Sequence, residues 1–247
     1  MSSKQRSQLI DGLRAAAVLA MILYHFVWDL GFFNIVDPVT VNSGLWKIFA
    51  VSIGSSFLFL SGISFWLATR DGLNMGKFSY RFAILLGAAL IVTIGTYQAN
   101  PNTFVFFGIL HLLAFCTLLG LLVYRLPGIF LILIGLSIIL SKPYLMSDYY
   151  QPKYLAWTGL FPGPTGSADF YGVFPWSSAY FFGLGLAKMI IGLRQEIISG
   201  SFSLFARTNK KNIFQSSFFW IGRNSLIVYL IHQPILMATI YGYLKFL

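Results

Sequence analysis

The chain has 247 residues, of which 57% are hydrophobic and only 10% charged, with a mean hydropathy of +0.75. A soluble domain of this length has too little interior to hide so much apolar surface, so the composition excludes a soluble enzyme and indicates a helical bundle in a bilayer. The net charge of +10 is explained by loop topology and not by nucleic acid, because no basic stretch interleaves with aromatics on a polar face.

Crossing ~30 Å of hydrocarbon takes about 20 apolar residues per helix. Seven segments approach that length, near 9–30, 45–69, 78–98, 104–124, 128–140, 171–193 and 218–243. The first follows Lys4 and Arg6 but exceeds the apolar core of a signal peptide and carries ionisable groups, so it reads as a retained helix. Along it, Arg14 and His25 stand eleven residues apart, three turns and a small remainder, and share a face. Asp11 lies three residues before Arg14 and Asp29 four after His25, both within pairing reach. Asp29 either orients the His25 imidazole, as in a general-base pair, or faces the outer headgroups.

The second segment contains SIGSSFLFLSGIS, small residues that permit close helix packing. The fourth carries His111 and the lone Cys116, the latter an apolar filler with no disulfide or metal framework around it. The fifth is short and uses residues 141–144 to reach the interface. Residues 141–170, rich in Pro, Gly and aromatics, read as an ordered outer loop, and 194–217 as a polar connector. The last segment, GRNSLIVYLIHQP, sets Gly222, Ser225, Tyr229 and His232 on one stripe, with Arg223 and Asn224 near its inner end. Pro234 frees a backbone carbonyl beside the histidine.

Thirteen of the 17 basic residues fall on one side of this scheme: Lys4, Arg6, Arg14, Arg70, Lys77, Arg81, Arg125, Lys188, Arg194, Arg207, Lys210, Lys211 and Arg223. Lys47, Lys142, Lys153 and Lys245 fall on the other. This bias places the N-terminus in the cytoplasm and the C-terminus outside. At 1.5 Å per residue, His25 lies ~24 Å from the inner end, and His111 and His232 lie ~11 and ~17 Å from the outer end. All three histidines then fall in one outer layer, and ionisable groups within spans indicate function. Arginine suits phosphate and histidine suits proton transfer, so a phosphate-rich donor entering from inside meets an acceptor waiting outside. No metal is expected from three histidines lacking supporting ligands.

The stretches IDGLRAAAVLAMILYHFVWDL, FLFLSGIS, FGILHLLAF, FPWSSAYFFGLGLAK and IGRNSLIVYLIHQPIL together resemble the bacterial branch of the heparan-α-glucosaminide N-acetyltransferase catalytic-domain family. The opening and closing motifs are also similar to the wider membrane acyltransferase superfamily, in which an arginine and a histidine eleven positions apart belong to the active site. The resemblance implies one transmembrane acyltransferase domain over residues 1–247, multi-pass in a bacterial inner membrane. It implies acetyl-CoA as cytoplasmic donor and an amine or hydroxyl acceptor, a glycan or amino sugar, at the outer face. It places Arg14 and Arg223, with Asn224 and Ser225, at the CoA end. His25 becomes base or transient acyl carrier, Asp29 its partner and His232 a second catalytic histidine, with His111, Tyr229 and Trp176 on the acceptor side. A homodimer is compatible with it. The family's lysosomal enzyme has its catalytic histidine in the loop after the first helix; residues 31–43 here contain none. A proton-coupled transporter using the same polar groups is the alternative, disfavoured by the lack of internal repeats.

Overall fold

A computed structural model describes residues 8–41, 43–193 and 213–246. All regular elements among them are helical: α1 (Gln8–Phe32), α2 (Pro38–Val41), α3 (Gly44–Thr69), α4 (Met75–Ala99), α5 (Ile109–Val123), α6 (Gly128–Leu145), a 3-10 turn (Asp148–Tyr150), α7 (Lys153–Ala156), α8 (Val173–Leu193), α9 (Ile213–Arg223) and α10 (Ser225–Lys245). The protein is an all-α membrane helix bundle. Among the described helices α1, α3, α4, α6 and α10 are long and apolar enough to cross a bilayer, while α5 is apolar but only 15 residues long. Lipid offers no hydrogen bonds to exposed backbone, and a helix satisfies its own.

The helices group into two compact units, one of residues 1–57 and 202–247 and one of residues 58–201, with α3 passing from the first to the second. In the first unit, α9 and α10 both pack on α1. Gly222 meets the carbonyl of Asp11 so closely that a Cβ has no room, and a Cβ on Gly12 would touch Phe219 at 3.4 Å. This close approach is the use to which membrane helices put small residues. Val18, Met21 and Ile53 form the buried centre, flanked by Phe49, Phe57, Ile221, Val228 and Tyr229.

In the second unit the same device recurs where Gly62 on α3 and Gly183 on α8 each face the partner helix backbone. The core there is Leu58, Phe65, Leu112, Cys116, Leu131, Tyr180, Phe181 and Leu184, so Cys116 is a core side chain, fully buried. Lys188 donates to the carbonyls of Tyr124 (2.7 Å) and Leu126 (2.5 Å), which closes the C-terminal end of α5. The 141–170 region is ordered through backbone bonds: Ser147 to Leu160, Ala168 to Thr103, and just beyond it Tyr171 to Phe107.

Three boundaries differ from those read in the sequence. The apolar run at 104–108 is not helical, because Thr103 and Phe107 give their carbonyls to the 168–171 segment; α5 therefore begins at Ile109. The segment 218–243 is two helices, interrupted at Asn224 (φ −109°, ψ 28°), so Gly222 lies on a different helix from Ser225, Tyr229 and His232. Residues 213–217, read as connector, form the first turn and more of α9; the remainder of that connector lies outside the described residues.

Asp169 illustrates how the loop is tied down. Its carboxyl sits against Gly108 at the start of α5. Burial pushes its pKa up to about 6, and the hydrogen bond from the Ile109 backbone partly opposes this. A folded-state value above the ordinary 3.8 means that the native state binds the proton more tightly. Stability from this group is therefore present below about pH 4 and is lost as pH rises through about 6. Detergent-phase melting of Asp169→Asn should lack that pH-dependent component. In the first unit, Gly222→Leu should cost about 1–3 kcal/mol by forcing α9 away from α1, measurable as a lowered melting temperature.

Candidate active site

The polar residues of the first unit gather where α1 meets α10. The rings of His25 and His232 lie in edge contact, centroids 5.0 Å apart at 62°. His232 Nδ1 is 2.5 Å from the carbonyl oxygen of Tyr229. A carbonyl only accepts, so Nδ1 carries the proton and Nε2 is left with its lone pair. That Nε2 is buried and has no hydrogen-bond partner among the described residues; the same holds for His25 Nδ1.

Asp29 is fully buried on the same helix as His25. Its Oδ1 accepts a 2.6 Å hydrogen bond from Gln233 Nε2. Because a carboxylate offers no proton, the amide must turn its NH₂ to Asp29, which leaves Gln233 Oε1 as an acceptor. Neither Asp29 Oδ2 nor Gln233 Oε1 has a partner among the described residues. Each orphaned buried polar atom costs about 1–3 kcal/mol. Four of them, two imidazole nitrogens and two acceptor oxygens, lie on the two touching helices α1 and α10.

Asp29 is thus bonded to Gln233 and not to His25, a correction to the pairing read from the i, i+4 spacing. The reason is tertiary: α10 brings an amide from another helix within reach of the carboxylate. Gln233 itself was missed, although an amide inside an apolar span, between a histidine and a proline, is a readable signal. The carbonyl freed by Pro234 is that of Leu230, four residues back, whereas His232 bonds to Tyr229. Tyr229 also packs its ring 5.6 Å from that of His232.

The other expected residues occupy three further places. At the N-terminal end of α1, buried Asp11 lies 3.5 Å from Arg223 Nε, whose side chain is about half exposed. Arg14 is half-buried one turn along. Asn224 spends its amide Nδ2 on the Trp220 carbonyl (2.9 Å), which closes the end of α9, and Ser225 opens α10. In the second unit, His111 sits in the first turn of α5, accepting from Gly108 N at Nδ1 (3.2 Å) and meeting Thr93 Oγ1 at Nε2 (3.0 Å). Both ring nitrogens are engaged, Nδ1 in the cap of the helix start and Nε2 by Thr93 of α4. Trp176 packs against Tyr171 in that unit, ring centroids 4.6 Å apart and tilted by 57°.

Protein-family comparison matches residues 6–234 to "heparan-alpha-glucosaminide N-acetyltransferase, catalytic". That span includes His25, Asp29, Arg223, His232 and Gln233. Searches of curated proteins and of solved structures give no significant match. With nearly its whole length covered, the chain belongs to the heparan-alpha-glucosaminide N-acetyltransferase catalytic family, a family of membrane acetyltransferases.

Proposed function

We propose that the protein moves an acetyl group from acetyl-CoA to an amine or hydroxyl of a sugar or glycan, working across a bacterial inner membrane. The observation that carries this reading is the unpartnered lone pair of His232 Nε2, its tautomer held by the Tyr229 carbonyl and its ring against that of His25. A base needs that arrangement: one nitrogen tied off, the other free and dry.

In direct transfer, His232 Nε2 takes the proton of the acceptor as its nitrogen or oxygen bonds to the acetyl carbon. The C–S bond then breaks, and the CoA sulfur leaves as thiolate and is reprotonated. His232 takes the base role that spacing and the superfamily resemblance assigned to His25. The proton taken by His232 passes to the leaving sulfur by way of the adjacent His25, which gives its own ring proton to the thiolate and is reprotonated from His232. Asp29 and Gln233 supply acceptor oxygens to the polar hydrogens of the incoming nucleophile. Arg14 and Arg223, at the N-terminal end of α1, serve the donor's phosphates, always charged and planar as phosphate recognition favours.

Purified protein in detergent should therefore hydrolyse acetyl-CoA slowly and acetylate glucosamine faster. His232→Ala should lower turnover by about 10²–10⁴, the range removed with a general base, and His25→Ala should lower kcat more than it raises KM. A transporter using the same residues would leave acetyl-CoA intact and instead move a proton with its solute. Unchanged acetyl-CoA turnover in both folded variants contradicts the assignment.

A further inference from the structure

Counting hydrogens where α1 meets α10 leaves one buried oxygen that the reacting group cannot serve. Asp29 Oδ2, Gln233 Oε1 and His232 Nε2 are all buried, all without a partner among the described residues, and all acceptors. Other polar side chains on the helices of this unit close their own bonds: Ser52, Ser56 and Thr239 each donate to the carbonyl four residues earlier. A nucleophilic hydroxyl brings one hydrogen and a neutral primary amine two. His232 Nε2 takes one in the reaction, and Asp29 Oδ2 has room for the second. Gln233 Oε1 is left over in either case.

The residue type at 233 sharpens the point. Leucine there would leave the Asp29 carboxylate without its 2.6 Å bond, and an ionised glutamate would set a second negative charge against it. Glutamine ties down Asp29 with its NH₂ and still presents a carbonyl oxygen. That oxygen and Asp29 Oδ2 are at most about 7 Å apart, one carboxyl or amide width of about 2.2 Å on each side of the bond. Two donors on neighbouring carbons, each reaching ~2.9 Å, bridge such a gap.

We infer that Gln233 is a specificity-determining residue. Its Oε1 accepts a hydrogen bond from a hydroxyl on the carbon next to the reacting nitrogen or oxygen of the acceptor. The substrates are therefore sugars with two neighbouring donor groups. A lone primary amine, such as a lysine side chain, or an isolated hydroxyl leaves Gln233 empty. This rests on the acetyltransferase reading, with His232 as base.

The test compares two acceptors on the purified full chain supplied with acetyl-CoA: methyl α-glucosaminide and its analogue lacking the 3-hydroxyl. The methyl group blocks the hydroxyl on the other side of the amine, so the pair differs only in the neighbouring donor. Wild-type protein should use the 3-deoxy analogue with a kcat/KM about ten- to a hundredfold lower, the cost of leaving a buried acceptor empty. Gln233→Met should bring the two acceptors within about threefold of each other. Gln233→Glu, sharing one proton with Asp29, should keep most of the difference. A purely structural Gln233 would lower both rates together in Gln233→Met and leave their ratio unchanged, which overturns the inference. The wild-type comparison needs no variant, so the inference stays open to refutation if Gln233→Met fails to fold. Equal use of both acceptors by wild-type protein, with water serving Gln233, overturns it while the acetyltransferase reading stands. Acetyl-CoA hydrolysis with neither sugar acetylated also overturns it. Protein that neither cleaves acetyl-CoA nor acetylates either sugar overturns both this inference and the reading beneath it.

Discussion

The first unit depends on one buried polar contact, the hydrogen bond between Gln233 on α10 and Asp29 on α1. A fully buried carboxylate is tolerated only with partners, and in a membrane span water does not supply them. The bond fixes which faces of α1 and α10 meet, and the same contact brings the two imidazoles edge to edge. Gly222 on Asp11 does the corresponding service at the other end of α1, where α9 crosses. Close backbone contact at one end and a polar bond at the other leave α1 little freedom to rotate, so the site geometry follows from packing.

Helix class and the polar residues of α1 were legible because their signals are local. Composition sets the bilayer class, and the eleven-residue step between Arg14 and His25 follows from the helix repeat. What was not legible depends on contacts between distant segments. The apolar 104–108 stretch reads as the start of a span, yet its carbonyls pair with residues some 60 positions later in the chain, and His111 becomes a cap at a helix start. The break at Asn224 escapes hydropathy because both flanking helices are apolar on the packed face. Spacing offers Asp29 only His25 or the outer headgroups, and the fold gives it Gln233.

The roles of the two histidines show the same limit. Spacing makes His25 prominent, because it completes a motif with Arg14. Tautomer distinguishes His232, because its Nδ1–H donates to the Tyr229 carbonyl and Nε2 is left without a proton. A sequence records which residues can titrate, whereas the backbone around each decides which nitrogen is available. The Arg223–Asp11 pair lies at the first turns of α1 and the imidazoles some three to four turns further on.

The central claim is that the acetyl group reacts between His25 and His232. It is tested most directly by an experimental structure with a CoA thioether analogue that keeps the acetyl carbonyl but is not cleaved. The account predicts its carbonyl carbon within reach of both imidazoles, about 3–3.5 Å from the attacking position, with His232 Nδ1 still on the Tyr229 carbonyl. An analogue seated away from these rings, or rings that separate on binding, would contradict it.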